Sequence, residues 1–333
     1  MPDGNTLCLV DHLDPQVVAL YEAAVRHGCA PADPMRLPLA AARAAAERHH
    51  VFLNGRDSPA AEVRDVAADG PAGAVPLRLY RPDGSGAHPL PVLLYFHGGG
   101  FVVNSVNTHD RLLRMLAAHS GAAVCAVSYS LAPERRFPHQ HEEALAALRW
   151  VQRNGAAHGL DPDRIAVGGD SAGANLALGT ALAARAPGLP RIAAGLLFYG
   201  MFAHDFDTVS HSRFGDGRYA LTTERMRWYW RQYLGDEVGG NGDDRGAVRD
   251  PRAAPLLADL CGLPPLVLVA AGLDCLRDDS LRLAERLAEA GVPHELTVYE
   301  GLPHSFATMT RLVHRADRAV LRAASVLRDH LGA

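Results

Sequence analysis

From about residue 74 onward, short apolar runs alternate with amphipathic segments, a pattern few folds accommodate. "AVPLRLYRP" (74–82) alternates Val75, Leu77 and Leu79, as a strand with one wetter face does. "PVLLYF" (91–96) is apolar throughout, the composition of a strand buried on both faces. Further strands are expected at 122–129, 164–169, 192–199, 265–272 and 294–300, with helices at 141–154, 172–186, 279–290 and 311–331. Parallel neighbours need a crossover of about a dozen residues or more, and the helices supply it. The expected fold class is therefore α/β, a mostly parallel central sheet with helices on both faces. A chain of 333 residues can bury a core of that size.

The rhythm breaks twice. Residues 1–50 look helical, with an alanine-rich stretch at 39–47, until "NGRDSP" (54–59) interrupts them. Residues 200–260 carry an aromatic-rich helix, "RMRWYWRQYL" (225–234), and a Gly/Asp-rich loop, "GDEVGGNGDDRG" (235–246). This second break suggests an insertion, placed at 200–245, over the C-terminal edge of the sheet, where such folds bind ligands. The core would then run over 51–199 and resume at 246–333.

"VGGDSAGANLAL" (167–178) places Ser171 where a buried strand gives way to a helix, with Gly169 and Gly173 two residues either side. A turn tight enough to project one side chain there strains the backbone and crowds its neighbours, which glycines relieve. G-D-S-A-G is thus a nucleophile elbow with Ser171 at its tip; an N-cap serine in a glycine-rich turn is the plainer alternative.

A serine hydroxyl needs a base to take its proton, and a carboxylate to orient that base. In this fold class the partners follow in the order acid, then histidine, each after a strand. Asp274 follows the strand at 265–272, with Asp278 and Asp279 as nearby competitors; His304 follows the strand at 294–300. "FHGGGF" (96–101) follows the buried strand 91–96, and its glycines let backbone N–H groups face a ligand. Together with the N–H of Ala172 they could hold an oxyanion. His97 fits no triad order and is expected to brace the loop.

Other chemistries find little support. The net charge of −4 gives no argument for nucleic acid or an anionic membrane. No apolar run approaches the ~18 residues of a membrane span. "MPDGNTLCLVDHLD" lacks the basic and apolar regions of a signal peptide. The cysteines at 8, 29, 125, 261 and 275 are odd in number and contain no C-x-x-C pair. That argues against a disulfide framework or zinc site and for a cytoplasmic location. The histidine groups at 49–50 and 139–141 lack a third ligand at useful spacing, so no metal is expected, and no cofactor.

"HGGGF" (97–101), "YSLAPERRFP" (129–138), "GDSAGANLAL" (169–178), "DPRAAPLLADLCGLPPLVLVAAGLD" (250–274) and "VYEGLPHSF" (298–306) together resemble the hormone-sensitive-lipase-like esterases of the α/β-hydrolase superfamily. Within that group "LFYGMF" (197–202) is similar to the acetyl-esterase branch. The resemblance implies Ser171, Asp274 and His304 as a triad, with Gly98, Gly99 and Ala172 as oxyanion donors. It also implies a cap built from the N-terminal helices (1–50) and the insertion. Ser130, Gly200, Cys275 and Pro303 depart from the common pattern, and none removes a catalytic group.

The expected activity is a serine carboxylesterase acting on short acyl chains, because cap aromatics can fill the space a long chain would need. Phe101, Asp170, Tyr199, Phe202 and Phe214 are the candidate pocket residues. A small-molecule ester is the expected partner, without nucleic acid or membrane, and a homodimer is compatible with the sequence. The alternatives are a non-catalytic ligand binder of the same fold, and an amidase, lactonase or xenobiotic hydrolase with the same triad. The binders of this fold lost the base, which this chain retains at His304.

Overall fold

The structure, a computed structural model, describes residues 13–86, 88–235 and 246–333. Cys8 and nearly all of the Gly/Asp-rich loop lie outside the described residues. Two helices come first, α1 (Pro15–Arg26) and α2 (Leu39–Asn54), then the hairpin β1 (Ala61–Gly70) and β2 (Gly73–Pro82). Alternation follows: β3 (Leu90–Phe96), α3 (Asp110–Ser120), β4 (Ala123–Val127), α4 (His139–Asn154), β5 (Leu160–Asp170), α5 (Ala172–Ala183) and β6 (Ile192–Phe198). The second break in the rhythm holds α6 (Val209–Phe214), α7 (Thr223–Leu234) and the short α8 (Gly246–Arg249). The chain closes with β7 (Leu266–Leu273), α9 (Arg277–Glu289), β8 (His294–Pro303) and α10 (His314–Leu331).

The strands form one eight-stranded sheet in the order β1-β2-β4-β3-β5-β6-β7-β8. Only the pairings of β1 with β2 and of β2 with β4 are antiparallel. The α/β expectation therefore holds, with an antiparallel edge. β3, β4 and β7 are buried along their whole length, as their unbroken apolar runs require. Alternate residues of the central strands feed separate cores. Val92 and Leu94 share one with Leu148 of α4, Leu176 of α5 and Leu283 of α9. Leu93 and Tyr95 share the other with Leu113 of α3 and Val320 of α10. Each such side chain contributes roughly 1.5–3 kcal/mol on burial.

Four elements were not anticipated: β1, α3 and the short α6 and α8. β1 is mostly exposed, and its sequence "AEVRDVAADG" buries only Ala68, so the ladder to β2 rather than an apolar face defines it. α3 is strongly amphipathic and ends on Gly121 in the left-handed region (φ +69°).

The sheet's topology sets where chemistry can occur. From β3 the chain crosses to β4 on one side, then returns to place β5 on the other, with Phe96 opposite Gly169. The loops leaving β3 and β5 therefore emerge side by side at the point where strand order reverses.

Candidate active site

Ser171 stands between β5 and α5 with φ +54° and ψ −117°, a conformation L-residues rarely adopt. Two close approaches hold it there. A Cβ at Gly173 would fall on the carbonyl of Phe96, and one at Gly169 on the backbone of Gly173. Any side chain at either position would push the elbow off β3. The Ser171 N–H donates to the Phe198 carbonyl at 2.9 Å, tying the turn to β6.

The loop after β7 presents Asp274, which is fully buried and accepts the Leu276 N–H through Oδ1 at 3.0 Å. Its other oxygen, Oδ2, accepts from His304 Nδ1 at 2.6 Å. A carboxylate that only accepts fixes the imidazole proton on Nδ1 and leaves a lone pair on Nε2. That lone pair faces the Ser171 hydroxyl at 3.0 Å. The Tyr199 ring packs edge-on against His304, with centroids 4.9 Å apart. Asp278 and Asp279 are engaged elsewhere. Asp278 accepts the Ser210 N–H at 2.9 Å, and Asp279 accepts those of Phe202 and Ala203 at 2.6 and 3.0 Å. Burial raises the Asp279 carboxyl to about 7, against the opposing pull of those two N–H groups and of Arg282.

The glycine loop is braced from behind. Tyr129 donates its hydroxyl to the His97 carbonyl at 2.6 Å, and the two rings stack with centroids 4.4 Å apart. Burial, helped by the charge of His109, pushes His97 down to about 4, so it bears no charge and stands as the brace expected of it. Asp170, buried beside Ser171, accepts the Gly98 N–H at 2.9 Å and the Tyr95 hydroxyl at 3.0 Å. It also faces His109 Nε2 at 3.1 Å. Thr108 spends its one hydroxyl proton on the Ser105 carbonyl, so it accepts from His109 Nδ1 at 2.8 Å. His109 thus spans Thr108 and the Asp170 carboxylate. Burial alone would raise the Asp170 carboxyl; His109 and Tyr95 outweigh it and hold the group below its usual range.

This tether corrects one expectation. Gly98 cannot serve as an oxyanion donor, because its N–H is spent on Asp170. Gly99 and Gly100 instead face the cavity above Ser171, and among the described residues their N–H groups have no protein acceptor. Both have positive φ (+124° and +61°), and a Cβ on Gly100 would strike the Tyr229 ring. Ala172 opens α5, where the first N–H groups lack intrahelical acceptors.

The cavity measures about 160 Å³ and reaches both Ser171 and His304. Its walls come from α2 (His49, His50, Leu53) and from the insertion (Leu221, Met226, Tyr229). None of the candidate pocket residues lines it. Phe101 stacks on Tyr233 at 3.8 Å, Asp170 lies beneath the loop, and Tyr199 backs His304. The Phe202 ring covers Gly200, and Phe214 packs with Tyr219 and Leu273. Aromatic character alone did not separate residues that support the site from those that face it. Gly100, Met226 and the two histidines of α2 went unassigned, since only tertiary packing brings them to the cavity.

A strand-to-helix serine, a histidine after the last strand and a carboxylate between them on one sheet edge define an α/β hydrolase. The chain belongs to the α/β-hydrolase fold family, whose model matches residues 93–308. It is 38% identical over 276 residues to the carboxylic ester hydrolase LipN of Mycobacterium tuberculosis, covering 81% of this chain and 71% of that one. It is 35% identical to the acetyl esterase of Salmonella schwarzengrund, covering 82% and 83% of the two chains. Among solved structures, it superposes on LAE6, an α/β-hydrolase enzyme from the metagenome of Lake Arreo, Spain. That match has a TM-score of 0.87 at 35% identity over 97% of this chain and all of the other. The chain is thus an ester hydrolase of this family, as the resemblance in its motifs implied. Among the described residues, no helix is long and apolar enough to cross a membrane.

Proposed function

We propose that the protein is a serine carboxylesterase working through an acyl-enzyme on Ser171. The observation that carries this reading is the relay Asp274–His304–Ser171, with contacts of 2.6 and 3.0 Å, opening onto a cavity edged by unpaired backbone N–H groups. As Ser171 Oγ attacks the ester carbonyl, His304 Nε2 takes its proton, and Asp274 stabilises the resulting imidazolium. Charge develops on the carbonyl oxygen, where the N–H groups of Gly99, Gly100 and Ala172 receive it. His304 then returns the proton to the departing alcohol. In the second half-reaction it deprotonates a water that attacks the acyl carbon, releasing the acid and restoring Ser171.

Short acyl groups are the proposed substrates. Leu53, Leu221 and Met226 line a cavity of about 160 Å³, and the acetyl esterase among the relatives favours the same view. The first methylenes added to a chain gain roughly 0.8 kcal/mol each, until the wall is met and overpacking costs about 1–3 kcal/mol.

The test is Ser171→Ala on a series of p-nitrophenyl esters. Wild type should cleave acetate and butyrate faster than laurate. The folded variant should lose about 10⁴–10⁶-fold in turnover. A variant that kept a tenth of wild-type activity would remove Ser171 from the mechanism, and faster cleavage of laurate would remove the short-chain assignment.

A further inference from the structure

The two histidines of α2 remain outside this mechanism, although they sit within the same cavity. Both are buried, with 7% and 9% of their surface exposed. His49 Nδ1 lies 2.7 Å from the Cys29 carbonyl, and His50 Nδ1 lies 2.9 Å from the Ala46 carbonyl. A carbonyl oxygen can only accept, so each ring carries its proton on Nδ1. If the ring is neutral, Nε2 must then present a lone pair. Burial lowers His49, and burial with the neighbouring charge of His109 pushes His50 down to about 3, so both rings stay uncharged at neutral pH. Neither Nε2 has a partner among the described residues, and neither is sealed from the cavity.

Two fixed acceptors therefore face a chamber that apolar Leu53, Leu221 and Met226 wall beside polar Asn104, Arg225 and Thr308. A plain alkyl group lying against them would leave the lone pairs without the water that otherwise satisfies them. A hydroxyl would satisfy one, and would recover what it lost on leaving water.

Resting on the esterase reading above, we propose that this cavity is built for esters bearing a hydroxyl group, with His50 and His49 as the residues that select it. The chemical class is a partly acylated polyol or a hydroxy-acid ester, distinguished by which side of the ester carries the hydroxyl. Discrimination comes from the missing hydrogen bond when a methyl replaces the hydroxyl, an exchange that hardly alters size.

Two isosteric pairs test this. With the hydroxyl on the alcohol side, ethylene glycol monoacetate is compared with propyl acetate. On the acyl side, ethyl β-hydroxybutyrate is compared with ethyl isovalerate. Wild type should favour the hydroxylated member of one pair by about tenfold in kcat/KM, the value of one neutral hydrogen bond. The arm that shows the preference identifies the side.

In His50→Phe the ratio should fall to about one or below, whereas His50→Gln, whose amide oxygen can accept, should keep several-fold of it. His49→Phe provides the same reading at the second ring. Because each ratio is taken within one protein, a general loss of activity does not disturb it. Wild type that cleaves all four esters with no preference in either pair overturns the proposal and leaves the esterase reading intact. So does a preference that survives both phenylalanine variants. Wild type that cleaves neither these esters nor p-nitrophenyl acetate overturns the esterase reading, and this proposal with it.

Discussion

Asp170 Oδ1 accepts the N–H of Gly98 at 2.9 Å, so the residue just before Ser171 also holds the loop that follows β3. The same carboxylate meets the buried ring of His109 at 3.1 Å. Elbow and glycine loop are thereby registered to one another by a single side chain, and Gly99 and Gly100 stay aimed at the cavity.

Replacing that carboxylate should damage both stability and rate. Asp170→Asn weakens a buried acceptor that Gly98, Tyr95 and His109 share, which should cost about 1–3 kcal/mol. Turnover should fall by about tenfold or more as the loop loosens. Tyr95→Phe deletes one hydrogen bond but spares the Gly98 and His109 contacts, so it should cost about 1 kcal/mol and leave turnover nearly intact. Chemical denaturation and p-nitrophenyl acetate kinetics on the two variants separate these outcomes. Wild-type stability and turnover in Asp170→Asn would show that the loop is held by something else.

Asp274 is the carboxylate on which proton transfer should depend. Asp274→Asn should lower turnover by about 10³–10⁴-fold with little change in thermal midpoint, because the amide no longer enforces the tautomer. Asp278→Asn removes only an anchor of α6, the Ser210 contact, and should stay within about tenfold of wild type. The reverse ranking would mean that the relay runs through another acid.

Asp279 gives the protein a pH-dependent weakness. Its carboxyl, raised to about 7 by burial, binds a proton more tightly in the folded chain than in the unfolded one, where its pKa is about 4. The stability it contributes is complete below about pH 4 and is lost as the pH rises through about 7, at up to about 1.4 kcal/mol per pH unit. Asp279→Asn keeps an oxygen for the Phe202 and Ala203 N–H groups but has nothing to titrate. Urea midpoints at about pH 5 and about pH 8 should therefore show the variant gaining on wild type at the higher pH. A constant difference between the two proteins at both pH values would contradict this.

The cavity wall can be moved. Met226 is fully buried and lines the chamber above Ser171. Truncating Met226→Ala removes volume worth about 2–5 kcal/mol of packing. The activity optimum should shift toward longer acyl chains by about two carbons if the vacated space is continuous with the acyl site. An unchanged chain-length profile in a folded variant would place the limiting wall elsewhere.

Much of the sheet and the relay was legible in the sequence because both follow local rules. Val92 to Phe96 and Leu266 to Ala271 are apolar without a break, as only strands covered on both faces are, and the elbow needs its glycines at fixed offsets. β1 was not legible, since its exposed side chains carry no face and only its partner defines it. Nor could the sequence distinguish Gly98 from Gly99 as donors. The three glycines are chemically identical, and a carboxylate 72 positions away decides which N–H is spent. The pocket residues failed for a similar reason. Phe101 and Phe202 are large and near the right loops, yet stacking on Tyr233 and closure over Gly200 turn them away from the cavity.

Ser171, Asp274, His304 and the glycine loop all sit at the ends of β3, β5, β7 and β8, whereas much of the chamber wall belongs to α2 and to the stretch around α7. α2 is fastened to the core by side chains, among them Arg43 on the Val102 and Ala132 carbonyls and Glu134, Glu47 on Ser105, and Arg311 on the carbonyls of Phe52 and Leu53. Appetite and chemistry are thus written in different parts of the chain. A lineage of such enzymes is free to trade its outer helices and change diet while inheriting its proton relay untouched, and a designer who grafts α2 between relatives works along the same seam.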